Sequence, residues 1–317
     1  MIKEFPSYYP PKPKIERKEA NSHISITILS IIIFALTFSI ITDDYLLIGT
    51  LIAVLFFHEL GHFIVMKLFG YEKLSMIFIP FMGAMVSGRK KLYSQIESSL
   101  MLMAGPVPGI IVGYFLLNYG VANDSSLAIE TGTILVLLNV MNLIPLDPLD
   151  GGKLLNTLFI RNYEQIQLIF SIITSVGLVI LGILLNSWIF TAFGVFSGFS
   201  IKNKHKLFLI RKESRKANLH YEVNYEDLSD RTYQKLRKIV ETHRPELYDV
   251  QDNSSEAKYD QIVARQVDRV LRQPTNYDAS LVYKAFVFII WVGSVALAAY
   301  TFFNIDLNLL INAFQNR

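Results

Sequence analysis

Apolar runs of about 20 residues, separated by short polar breaks, fill most of the chain up to residue 201 and return once near its end. A helix of that length rises about 30 Å, the thickness of a bilayer's hydrocarbon core, and pairs its own backbone groups where no water is available. The runs extend from Ile24 to Thr42, Tyr45 to Gly70, Leu100 to Tyr119, Leu127 to Leu146, Ile166 to Leu185, Trp188 to Ile201 and Val282 to Phe303. They predict a polytopic α-helical membrane protein of about seven spans and exclude an ordinary soluble domain, a disordered chain and a fibre. The first run is too long for a signal-peptide core and is followed by no small-residue cleavage pattern, so it is expected to remain as a span.

Charge is concentrated elsewhere, because residues 202–280 hold 16 of the 30 Lys and Arg and 13 of the 27 Asp and Glu. The predicted layout is a basic cytosolic tail over 1–23, a six-span core over 24–201, a soluble α-rich cytosolic region over 202–281, a C-terminal transmembrane helix over 282–304 and a short outer tail over 305–317. Within the soluble region Tyr259, Ile262, Val263, Gln266, Val267, Val270 and Leu271 recur at helical spacing, with Asn253 and Glu256 read as an N-cap and its N3 partner. Pro6, Pro10, Pro11 and Pro13 among basic residues make the tail an irregular segment. With a cytosolic amino terminus, 29 of the 30 Lys and Arg fall on the cytosolic side or at its edge, a positive-inside asymmetry. A bacterial cell membrane is the expected location. The net charge of +3 argues against nucleic acid as a partner, and the lack of cysteine excludes disulfides and thiolate metal sites.

The stretch Leu74 to Val86 is apolar but too short to cross, and it carries Pro80 and Gly83. A re-entrant β hairpin lining a wet cavity is the expected form, since irregular backbone at membrane depth needs protein or water around it.

Chemistry enters in the second run at Phe57-His58-Glu59-Leu60-Gly61-His62, an HExxH motif. On a helix, positions i and i+4 share a face, so His58 and His62 can hold one metal ion. Glu59 beside them can take a proton from a water that zinc makes acidic. Ionisable groups inside a lipid-spanning helix are costly and point to function. A hydrolytic zinc normally has three protein ligands, and the fourth run ends in Asn142-Leu143-Ile144-Pro145-Leu146-Asp147-Pro148-Leu149-Asp150-Gly151-Gly152. Its prolines and glycines end the helix and turn the backbone toward the bundle, which presents a carboxylate. Asp150 is the expected third ligand, with Asp147 a rival on chemistry alone. Glu130, Trp188 and Trp291 are read as interfacial.

Together these residues resemble the site-2 protease family of intramembrane metalloproteases, which pairs HExxH in one core helix with NxxPxxxLDG in a later one. His58, Glu59 and His62 match the first motif; Asn142, Pro145, Leu149, Asp150 and Gly151 match the second. The resemblance implies Zn2+ held by His58, His62 and Asp150, with the family register favouring Asp150 over Asp147, Glu59 as general base and Asn142 near the scissile peptide. It also implies a transmembrane protein substrate and regulated intramembrane proteolysis in the lipid bilayer. The Ala104-Gly105-Pro106 break resembles a further family feature, although a plain helix kink accounts for it equally. Neither a PDZ domain nor CBS modules are recognisable, which leaves substrate recruitment open; because a mere linker between two spans would not need about 80 residues, residues 202–281 are expected to regulate or recruit, with a cytosolic regulator as the partner. A divalent-metal transporter and a catalytically inactive, partner-binding relative are the alternatives. The transporter requires a polar path that the outer halves of the runs lack.

Overall fold

The computed structural model describes residues 9–15, 24–80, 83–146, 148–159, 164–184, 186, 188–247, 255–305 and 313. In chain order the elements are α1 (Ile24–Ser39), α2 (Tyr45–Leu68), β1 (Glu72–Ile79), β2 (Gly83–Arg89), β3 (Tyr93–Ser94), α3 (Gln95–Ala104), α4 (Pro106–Ala122) and α5 (Ser126–Leu143). There follow α6 (Asp150–Leu158), α7 (Glu164–Leu184), α8 (Trp188–Lys216), α9 (Asp230–His243), α10 (Glu256–Val270), β4 (Thr275–Asn276) and α11 (Leu281–Phe303). The chain divides into two compact units: a core unit of Ala20–Lys90, Ser94–Arg161 and Tyr277–Arg317, and a second unit of Met1–Glu19, Lys91–Tyr93 and Asn162–Asn276.

Among the described residues, five helical stretches are long and apolar enough to cross a membrane: Tyr45–Leu68, Gln95–Ala122, Ser126–Leu143, Gln165–Leu184 and Leu281–Phe303. Their surfaces carry Phe115 at 65% exposure and Ile289 at 67%. Such side chains suit lipid and would be an aggregation hazard in water. The protein is therefore a membrane protein. The first expected span is a 16-residue helix, shorter than those five. The sixth run begins α8, which continues into the charged sequence as far as Lys216. The fourth run stops helically at Leu143 rather than Leu146, because the residue before Pro145 is driven to extended backbone and Ile144 has ψ 133°.

The start and end of α2 are both fixed locally. Asp44 accepts a hydrogen bond from the Leu47 N–H at 2.9 Å, which caps the start. At the other end Gly70 takes φ +71°, while the N–H groups of Gly70 and Tyr71 donate to the carbonyls of Lys67 and Met66. This Schellman closure turns the chain into β1. β1 and β2 form an antiparallel hairpin with Met76 opposite Val86 and Ile79 opposite Gly83. Helix α1 braces the outer edge of β1: Thr27 Oγ1 donates to the Met76 carbonyl at 2.7 Å, and Ser30 Oγ accepts from the Phe78 N–H at 3.0 Å. By alternation, Ala84, Val86 and Gly88 turn their backbone groups to the free edge of β2.

The third run is one crossing made of two helices, α3 and α4, broken at Gly105 before Pro106. Helices α4 and α5 pack through small residues. A Cβ on Gly113 would come within 2.8 Å of Val136 and 2.9 Å of Leu135, so the backbones approach closely, as lipid-embedded helices require.

In the second unit, α9 and α10 face each other across a core that includes Tyr225, Leu228, Tyr233, Leu236, Val263 and Val267. Arg237 of α9 ties the pair by bonding Glu241 at 2.9 Å and Asp260 of α10 at 2.8 Å. The expected cap pair is corrected here. Helix α10 starts at Glu256, with extended Ser255 at the cap position, so Glu256 is its first residue and not its third; Asn253 lies outside the described residues. One turn before Tyr259, the first buried residue of the helix face, is enough to begin the helix.

Burial pushes the Tyr233 phenol up to about 12. The folded unit thus holds this proton more tightly than the unfolded chain, so its stability is full below about pH 10 and falls as pH rises toward 12. Tyr233→Phe should shift the midpoint of alkaline unfolding upward when helicity is followed against pH; an unchanged midpoint would contradict this coupling.

Candidate metal centre

Helix α2 carries His58 and His62 on one buried face, with exposures of 3% and 8%. Asp150 opens α6, where its charge meets the positive end of the helix dipole. The connection that delivers it is tight: the Leu146 N–H bonds the Ile144 carbonyl and the Leu149 N–H bonds the Leu146 carbonyl. Only glycine fits at position 151, because a Cβ there would overlap the carbonyl groups of Leu143 and Ile144. The sequence expectation of a helix ended by proline and turned back to present Asp150 matches this path. Asp147 lies outside the described residues.

Three atoms meet at the centre. His58 Nε2 lies 3.2 Å from Asp150 Oδ2, His62 Nε2 lies 3.1 Å from the same oxygen, and the two Nε2 atoms are 3.1 Å apart. The hydrogen bonds behind them decide the tautomers. Asn139 Nδ2 donates to the Leu135 carbonyl at 2.7 Å, so its Oδ1 accepts, and His58 Nδ1 must carry the proton in their 2.7 Å contact. His62 Nδ1 faces the Met101 carbonyl at 2.7 Å and must likewise donate. With Nδ1 as the donor, each ring in its neutral form presents an Nε2 lone pair, aimed at the other ring and at a carboxylate oxygen. Such a convergence is repulsive unless a cation sits among it. Two imidazoles and a carboxylate suit zinc, whose tetrahedral ligands at about 2.0–2.1 Å stand about 3.3 Å apart. The residues thus fit the metal implied by the motifs.

Glu59 is 7% exposed, and its Oε2 accepts the Val86 N–H at 2.9 Å. The carboxylate beside the cluster is thus fixed by the free edge of β2. Asn142, expected near a scissile peptide, donates from Nδ2 to the Leu138 carbonyl of its own helix at 3.2 Å.

Several residues at the centre were not singled out in the sequence. Asn139 is fully buried and orients His58. A Cβ on Gly109 would overlap the Asn139 side chain, and one on Gly105 would overlap His62, so the break between α3 and α4 serves close packing on the imidazoles rather than a kink alone. Trp291 is corrected from an interfacial residue: it is 6% exposed, and its indole N–H donates to the Leu143 carbonyl at 2.7 Å, where the Asp150 connection begins. Glu130, near the start of α5, is buried at 1% exposure. An asparagine three residues before Asn142 and small residues one turn apart were the available signals.

Residues 46–131 match peptidase family M50. The chain is also 27% identical over 154 residues to a zinc metalloprotease of Methanocaldococcus jannaschii, a match covering 46% of this chain and 44% of that one. Both matches support the site-2 protease family. The chain spans less than half the length of that relative. A solved site-2 protease from Methanocaldococcus jannaschii aligns with a TM-score of 0.42 at 22% identity, over 56% of this chain and 88% of that chain. The M50 match contains His58, Glu59 and His62 and stops before Asp150.

Removing a group that orients a metal-binding imidazole typically weakens metal affinity 10- to 100-fold. Asn139→Ala should show a loss of about that size in competition with a chelator for zinc, with stoichiometry kept at saturating metal. Wild-type affinity would remove Asn139 from the centre.

Proposed function

We propose that the chain is an intramembrane zinc metalloendopeptidase that hydrolyses a peptide bond in or near a transmembrane helix of a membrane protein substrate, as part of regulated intramembrane proteolysis. The observation that carries this reading is the meeting of three possible metal-ligand atoms, from His58, His62 and Asp150, beside the buried carboxylate of Glu59. His58, His62 and Asp150 would hold the zinc, which when bound acidifies water and polarises a carbonyl. Glu59 takes the proton of the attacking water on its carboxylate and passes it to the leaving amine. The Val86 N–H keeps that carboxylate aimed during both transfers. Asn142 is assigned to the scissile peptide, which requires its amide to leave the Leu138 carbonyl.

A helical substrate hides its peptide bonds, so the segment to be cut must unwind. The hairpin is read as re-entrant, with the free edge of β2 offering the backbone groups of Ala84 and Gly88 and the Val86 carbonyl to the unwound segment as an added strand, while the Val86 N–H stays on Glu59. His58 stands 13 residues past Tyr45, about 20 Å along α2, toward the end that leads into the hairpin. With the basic residues on the cytosolic side, that end is cytosolic. Water then reaches the site from the cytosol and the cut falls in the cytosolic half of the substrate span.

General base catalysis contributes about 10² to 10⁴ in rate. Purified Glu59→Gln should remain folded and zinc-loaded yet cleave a transmembrane peptide slower by about that factor. Near wild-type turnover in this variant would sink the hydrolase reading. Asp150→Asn should lose zinc where Asp147→Asn keeps it; the opposite pattern would make Asp147 the ligand.

A further inference from the structure

The proline-rich tail, read from sequence as an irregular basic segment, is seated over residues 9–15 on the polar part of its own unit. Lys12 is the centre of the contact. Its ammonium donates to the carbonyls of Tyr225 at 2.6 Å, Glu226 at 2.7 Å and Leu228 at 2.5 Å, so three carbonyls of a single turn meet the three N–H bonds that an ammonium owns. The same ammonium stands 5.3 Å from the centre of the Tyr225 ring. The Lys12 backbone N–H donates to Asp230 Oδ1 at 2.9 Å.

The flanking residues are read through their carbonyls. Gln234 Nε2 donates to Pro10 at 3.2 Å, the Tyr225 hydroxyl to Pro13 at 2.8 Å and Gln261 Nε2 to Lys14 at 2.7 Å. Ile15 packs against the apolar core that contains Tyr225, Tyr233 and Val263. The chemistry is matched on both sides. Pro10, Pro11 and Pro13 have no N–H to satisfy, and this face of the domain supplies donors to carbonyls, an ammonium socket and an aromatic ring. Proline-rich segments are recognised in this way because their extended form costs little entropy to fix.

We infer that the polar domain carries a peptide-recognition groove for an extended, proline-bracketed lysine segment, and that residues 9–15 of the same chain are its resident ligand. A partner presenting the same chemistry must displace the tail to bind. The tail holds its place through proximity, since a tethered ligand acts at an effective concentration in the millimolar range. Lysine is required rather than any cation, because a planar guanidinium does not fill a socket of three carbonyls shaped for a compact ammonium.

The test uses the 317-residue chain in micelles and a fluorescent peptide of residues 9–15, Tyr-Pro-Pro-Lys-Pro-Lys-Ile. Lys12→Ala and Lys12→Arg proteins should bind this peptide at least about tenfold more tightly than wild type, whose groove is filled in cis. A peptide with alanine in place of the central lysine should bind neither variant. Hydrogen exchange checks the same variants: the amide of Lys12 should lose protection while those of α9 and α10 keep theirs, which separates release of the tail from unfolding of the domain. Equal peptide binding by wild type and the variants, no binding by the variants with α9 and α10 still protected, loss of protection in α9 and α10, or a tail kept in place by Lys12→Arg would each overturn the inference.

Discussion

His58 Nε2, His62 Nε2 and Asp150 Oδ2 stand within 3.2 Å of one another, and holding these three atoms together is the constraint around which the core unit is built. Left to themselves, the rings would rotate apart or take up protons. They are held by hydrogen bonds from the far side, where Asn139 and the Met101 carbonyl each accept a ring N–H. In a neutral ring so held, the nitrogen that faces inward is the unprotonated one. All three residues are under 10% exposed. In such surroundings a cation is bound strongly and electrostatic effects on a reacting group are large.

Bringing four helices to one point requires that little stand between them. Gly61 lets α2 lie on the Ala104 carbonyl, Gly105 makes room for both imidazoles, Gly109 for Asn139 and Gly151 for the end of α5. None of these glycines is needed for a left-handed turn; each is needed for space. The last helix completes the arrangement, since the Trp291 indole binds the Leu143 carbonyl against which Gly151 also packs. Asp150 is thus positioned by residues nearly 150 positions apart in the sequence. The hairpin adds the remaining element by holding Glu59 through a single backbone N–H, while α1 secures the strand on its other side.

What the sequence made legible was whatever depends on local spacing. His58 and His62 share a face because of helical periodicity, the helix ends before Pro145 because proline excludes its predecessor from helix, and Leu74 to Val86 forms a hairpin because it is too short to cross. Asn139 was not legible, because nothing distinguishes it from Asn142 until α4 and α2 are packed beside it. Trp291 looked like an anchor in lipid because aromatic residues in apolar runs usually are. Its partner is a carbonyl freed only by the break at Ile144. The seating of the tail was hidden for a similar reason: Lys12 finds three carbonyls that exist as a set only once residues 225–228 have turned.

The central claim is that two imidazoles and one carboxylate form a single zinc site. X-ray absorption at the zinc edge of the purified, zinc-loaded protein reads that set directly. The account predicts nitrogen and oxygen neighbours at about 2.0–2.1 Å, with outer-shell scattering from two imidazoles, and a changed or absent signal in Asp150→Asn. A first shell with one imidazole, with three, or unaltered by loss of the Asp150 carboxylate would contradict it.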